Sequence, residues 1–163
     1  MRYLVLVTVV AALAAGCYGP DPDLTPEGKG LPRVTLGEVP STVVSGSRHT
    51  VELSIENPGP AAMESVVVAF SRLGDPALPE PIVDVAPRGE PGPVQDVEPE
   101  PVAVSQDGVV YRFEGLAEGE SLTIRFELLI PDVDGPAGNA VQVYDGSEPD
   151  RARGVRLKTE VEG

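Results

Sequence analysis

One cysteine, one histidine and no tryptophan occur among the 163 residues, and Lys plus Arg number 12 against 26 Asp plus Glu. Each scarcity removes a class of chemistry. A single cysteine allows no disulfide within the chain, so a folded domain here must rest on a packed core. His49 alone falls short of the several Cys or His ligands that zinc normally takes. No Gly-x-Ser-x-Gly turn is present to build a serine nucleophile beside it, and His49 reads as a solvent-facing residue at the entry of a strand. A net charge of -14 is a poor match to nucleic acid, whose affinity comes largely from Lys and Arg neutralising phosphates. Carboxylates are abundant, but no pair stands in an apolar context that would raise one pKa for acid–base work. The chain is therefore expected not to be an enzyme, with no catalytic residues and no cofactor. The longest apolar run, Leu4 to Ala15, is too short to cross a bilayer as a helix, which takes roughly 20 residues.

What the N-terminal segment does contain is Arg2, that apolar run, and then Leu13-Ala14-Ala15-Gly16-Cys17. A basic start, a short apolar centre and small residues before a cleavage site are the parts of a secretory signal. With the cysteine directly after the small residues, the segment resembles a bacterial lipoprotein signal. That resemblance implies removal of residues 1–16, a diacylglyceryl group on the thiol of Cys17, and attachment to the extracytoplasmic face of the cell membrane. The membrane lipid is then a partner through Cys17 alone. Cys–His chemistry is lost with the thiol, and so is any disulfide that export would otherwise permit.

Residues 17–30 continue as a Pro-, Gly- and acid-rich tether, which in the extended proline regime rises roughly 3 Å per residue. From about Leu31 the pattern alternates. Val51, Leu53 and Ile55 share one face of a stretch from Thr50 to Glu56. Val66, Val68 and Phe70 do the same over 64–70, as do Val109, Tyr111 and Phe113 over 109–114. In Ser121 to Ile130 the set is Leu122, Ile124, Phe126, Leu128 and Ile130. Val141 and Val143 pair over 139–144, and Val155 and Leu157 over 154–160. Period-two alternation of this length predicts half-buried strands. Val34 with Leu36, and Ile82 to Val85, are weaker candidates. Asn57-Pro58-Gly59-Pro60 and Pro131-Asp132-Val133-Asp134-Gly135-Pro136 supply turns between them. Strands at this spacing predict an all-β sandwich of about seven strands over 31–163. Residues 74–101 hold eight prolines and read as an insertion, either a long loop with one edge strand or an extended segment offered to a partner.

Four parts of this region carry a family likeness, beginning with Val51-Glu52-Leu53-Ser54-Ile55-Glu56-Asn57-Pro58-Gly59-Pro60 and Val66-Val67-Val68. Leu116-Ala117-Glu118-Gly119-Glu120-Ser121-Leu122-Thr123-Ile124 and Gly138-Asn139-Ala140-Val141-Gln142-Val143 follow. Together they resemble one copy of the immunoglobulin-like repeat of bacterial surface proteins known as domain of unknown function eleven, related to a cell-adhesion domain of bacteria. The resemblance implies an immunoglobulin-like Greek-key sandwich serving as spacer, stalk or adhesive module, and no catalytic residues. Where that family usually has an aspartate and a proline after the valine strand, this chain has Phe70-Ser71-Arg72-Leu73-Gly74.

Asp132, Asp134 and Asn139 are calcium candidates, since calcium takes six to eight oxygens from a curved loop, although turn chemistry accounts for them equally. The functional expectation is a membrane-anchored surface lipoprotein that acts as a binding or structural module for an envelope protein or glycan. The alternative is an accessory subunit of a larger envelope complex.

Overall fold

A computed structural model describes residues 31–74, 80–86 and 92–163. Among them no helix forms, and ten strands build two sheets. In chain order these are β1 (Arg33–Leu36), β2 (Thr42–Val44), β3 (Arg48–Glu56), β4 (Val66–Arg72), β5 (Val94–Glu98), β6 (Ala103–Val104), β7 (Val110–Phe113), β8 (Ser121–Leu129), β9 (Gly135–Asp145) and β10 (Arg153–Glu162). One sheet has the order β1-β3-β8-β5. The other has the order β2-β10-β9-β4-β7-β6. All pairings are antiparallel except β2 with β10, which is parallel.

Each strand with clear alternation forms, and its apolar set faces inward. The pairing of β3 with β8 sets Val51 opposite Phe126, Leu53 opposite Ile124 and Ile55 opposite Leu122. That register is the one that keeps every apolar side chain on the same face, since a slip of one residue would turn them all to water. The two sheets meet face to face around Phe126. Its ring lies 5.2 Å from that of Phe70 on β4 and 5.4 Å from that of Tyr111 on β7, both edge to face. Edge-to-face pairs contribute about 0.5–1.5 kcal/mol each beyond the area they bury. Ile55, Val66, Val68, Ile124 and Val143 fill the layer around them and are fully buried.

The count of ten exceeds the expected seven through three short edge strands, β2, β5 and β6. Ile82 to Val85 does not form a strand. Ile82 and Val83 are buried, and their amides are bound by a side chain instead of a neighbouring strand. The edge strand expected inside the Pro-rich insertion is β5. It carries a register shift between Val94 and Asp96, so its apolar residues do not alternate strictly. Val67 departs differently. It points away from the inter-sheet core, yet is buried because the chain at Gly146 folds over it and bonds Ser65, Gly146 N–H donating at 3.0 Å.

Truncating the inter-sheet ring tests this arrangement. Phe126→Ala is expected to lower unfolding free energy by about 3–5 kcal/mol, measured by urea denaturation. A similar truncation at exposed Val44 should cost under about 0.5 kcal/mol.

Candidate binding surface

Cys17 and the tether lie outside the described residues. The other site candidates are not brought together. Asn139 is wholly buried on β9. Its Oδ1 accepts the amides of Ile82 at 3.0 Å and Val83 at 2.8 Å, and its Nδ2 donates to the carbonyls of Val83 at 2.7 Å and Ser71 at 3.2 Å. An amide so engaged has no lone pair directed at a cation, so Asn139 leaves the calcium set. Asp132 and Asp134 are exposed, and Asp132 accepts the Ser45 hydroxyl at 2.8 Å. Among the described residues no group of three or more His, Cys, Asp or Glu is placed to hold a metal. His49 is half-buried, and its register opposite Leu128 sets it on the core side of β3. The expectation of a solvent-facing residue is corrected: alternation with Val51 decides the side, not polarity.

Sequence reasoning missed the buried polar residues that hold the loops. Asn57, at the end of β3, is fully buried. It donates through Nδ2 to Ala61 and Leu116 carbonyls, both at 2.9 Å, and accepts the Gly59 amide at 3.0 Å. Gly59 has φ +85°, a conformation that costs a side chain dearly and glycine nothing. Asp145 closes the far end of β9, accepting the amides of Glu64 and Ser147, each at 3.1 Å. Asn139 does the same for the Pro-rich insertion, fixing Ile82 and Val83 over the core. Asn57 carries a signal, since it closes a strongly alternating segment and opens a glycine-containing turn; Asn139, inside β9, carries none.

The outer face of the four-stranded sheet is polar and ordered by charge. Arg125 on β8 bridges Glu52 on β3 (3.3 Å) and Glu98 on β5 (3.6 Å), and Arg48 on β3 reaches Glu127 on β8 at 2.8 Å. Arg33 and Glu56 pair at 3.1 Å across β1 and β3. Exposed pairs of this kind contribute about 0–1 kcal/mol each, but they fix which sign stands at each position. Arg72 and Asp84 pair at the end of β4. The hydrogen bond from Arg72 holds the Asp84 carboxyl below its ordinary range.

The flank where β5 and β6 end their sheets is the candidate surface. A hollow of about 360 Å³ opens between them, lined by Val94, Asp96, Val97, Pro101, Val104 and Tyr111 among others. A second, more apolar hollow of about 370 Å³ lies toward Ile82, Val85, Pro93 and Leu129. Val85, Val104 and Leu129, which line these hollows, are exposed. Tyr111 forms the floor of the first hollow. Its hydroxyl donates to the Gly108 carbonyl at 2.7 Å, and burial, with the nearby Asp107 charge adding, pushes its phenol up to about 12.

No protein-family model matches the chain, and no curated protein sequence matches it. Solved structures align with it at low identity. A family 123 glycoside hydrolase from Clostridium perfringens aligns with 8% identity and a TM-score of 0.52 over 81% of this chain. This chain spans 27% of that hydrolase. AvmM, which catalyses macrocyclization in alchivemycin A biosynthesis, aligns at 15% identity and TM-score 0.46, covering 82% of this chain and 89% of its own. The ASH/PapD-like domain of human CEP192 covers 99% of this chain at 14% identity, with a TM-score of 0.39. At these identities the likeness to the hydrolase shows the fold alone.

Two measurements follow from the site. Asn139→Ala removes the acceptor of two buried amides, each costing about 1–3 kcal/mol when left unpaired. The expected result is a loss of about 2–5 kcal/mol, with hydrogen exchange at Ile82 and Val83 accelerating far more than at Ile124. Tyr111 ionises at about 12 when folded and near 10 when unfolded. Its contribution is thus fully present below pH ~10 and is lost as pH rises toward ~12. A thermal melt series over that window should show a decline in stability that Tyr111→Phe lessens.

Proposed function

We propose that this chain is an exported lipoprotein whose domain, residues 31–163, is an immunoglobulin-like Greek-key β-sandwich serving as a non-enzymatic binding or structural module on the extracytoplasmic face of the membrane. The observation that carries the anchor is Cys17, the one cysteine in the chain, placed directly after Leu13-Ala14-Ala15-Gly16 behind a basic and apolar start. A diacylglyceryl group plus a further acyl chain holds a protein to a bilayer durably, where one chain alone is marginal. The acidic domain is repelled by anionic headgroups, and the tether of residues 17–30 lets it stand away from them.

The immunoglobulin-like reading is supported by strand order. In such sandwiches the sheets run A-B-E-D and G-F-C, with extra strands added beside C in the variable type. Here β1-β3-β8-β5 takes the first set of positions and β10-β9-β4 the second, with β7 and β6 beside β4. The chain departs from the variable-type order in two respects. It visits the D position, β5, before the strands beside C, with the Pro-rich insertion carrying it there, and it then forms the outer strand β6 before the inner strand β7. The likeness to domain of unknown function eleven belongs to the same proposal. A second reading, an accessory subunit of an envelope complex, is favoured by the unequal sheets and the apolar flank they leave open.

Intact mass and fractionation test the anchor. The membrane-extracted protein is expected to begin at Cys17 and to carry acyl chains, and Cys17→Ser is expected in the soluble fraction. A mass without lipid would overturn the lipoprotein reading and leave Cys17 as a free thiol on a secreted domain.

A further inference from the structure

The two sheets are unequal, four strands against six, and the mismatch leaves a specific gap. Val104 pairs with Tyr111 in the register of β6 and β7. It therefore lies on the inner face of its sheet. An inner-face valine is ordinarily covered by the opposing layer. Val104 is 49% exposed, because among the described residues the opposing sheet stops at β5. Beside β5 lies the hollow lined by Val97, Val104 and Tyr111. A further strand paired to the open edge of β5 would lay alternate side chains over this valine.

Charge says what that strand must carry on its other face. In one row of the outer face, Glu52, Arg125 and Glu98 over β3, β8 and β5, the signs alternate from strand to strand. In the next row Glu127 on β8, bonded to Arg48, stands beside Asp96 on β5. Both rows end at the open edge on a carboxylate. Among the described residues Asp96 makes no ion pair, and neither does Glu100 just beyond β5. A cation in the following strand would continue the first row and relieve the like-charged neighbours of the second, since opposite charges on adjacent strands attract and like charges repel. A second copy of this chain does not fit, because two β5 edges would set one acidic row against another.

We propose that the β5 edge accepts an extended segment of another protein in which apolar residues alternate with Lys or Arg. The segment adds a fifth strand to the four-stranded sheet, its main chain bonding to Val94–Glu98. Its apolar side chains cover Val104, and its cations stand beside Asp96 and Glu98. Strand addition of this type takes affinity from main-chain bonds and specificity from alternate side chains. The proposal rests on the reading of the domain as a binding module and is independent of the lipid on Cys17.

The test uses the full chain purified in detergent and an eight-residue capped peptide alternating valine and lysine, with a valine–glutamate peptide as control. Hydrogen-exchange mass spectrometry at saturating lysine peptide should show the 94–98 segment slowed about tenfold or more. The glutamate peptide should leave it unchanged. Val104→Ser should weaken binding about tenfold through lost apolar cover. Asp96→Asn with Glu98→Gln should weaken it and flatten its salt dependence. All three side chains are exposed, and an unchanged melting curve confirms that each variant folds. Equal binding of the two peptides, protection outside 94–98, or no binding at millimolar peptide would overturn the proposal. None of those results would touch the fractionation of Cys17→Ser, so the two readings fail separately.

Discussion

Everything in this domain depends on the contact of Phe126 with Phe70 and Tyr111. The chain has seven Phe and Tyr residues in all, and three of them meet at the point where the sheets come together. No disulfide within the chain can tie the layers, so cohesion across them is dispersion and apolar burial, which scale with contact area and shape. That places a premium on register. Phe126 reaches its partners only if β8 keeps its pairing with β3, and the pairing is fixed by the alternation of Val51, Leu53 and Ile55 against Ile124, Phe126 and Leu128.

A second constraint acts where the loops meet the sheets. The loops bond one another through backbone amides, and Asn57, Asn139 and Asp145 add side-chain partners from buried positions. Each satisfies two or more backbone groups, a short amide or carboxylate standing in for a backbone partner. The Pro-rich insertion illustrates the result. Its apolar pair, Ile82 and Val83, is seated by a side chain from β9, and only then does the chain cross to form β5.

This division explains what could be read from the residues alone. Long alternating stretches such as β3, β8 and β10 were legible because burial on one face writes a period of two into the sequence. The turn at Gly59 was legible because proline and glycine have strong conformational preferences. β6 has two residues and no period. β5 is bulged, so Val94 and Val97 sit three apart and mimic no strand. Ile82-Val83 looked like a strand because it is apolar, yet its amides are bound by Asn139. Asn139 itself looked like a ligand because an asparagine beside aspartates suggests a surface loop. Nothing in the residue type announces burial, which follows from the position of β9 in the middle of its sheet. The site the sequence proposes, Cys17, lies outside the described residues. The open flank beside β5 was not legible in the sequence, since it arises from a difference in sheet width that only the assembled topology reveals.

The pairing of β2 with β10 has a mechanical consequence. These strands run parallel at the edge of the sheet, Thr42–Val44 beside Glu160–Glu162. The contact is extended by the Thr159 hydroxyl on the Pro40 carbonyl (2.8 Å) and by the Ser45 amide on the Glu162 carbonyl (2.8 Å). A pull that draws the chain before β1 away from the end of β10 slides the two strands lengthwise past each other. Their bonds then bear the load together instead of parting one after another, as they would in an unzipping hairpin. A domain tethered at one end and gripped at the other is thereby latched against stretching by one of its shortest strands.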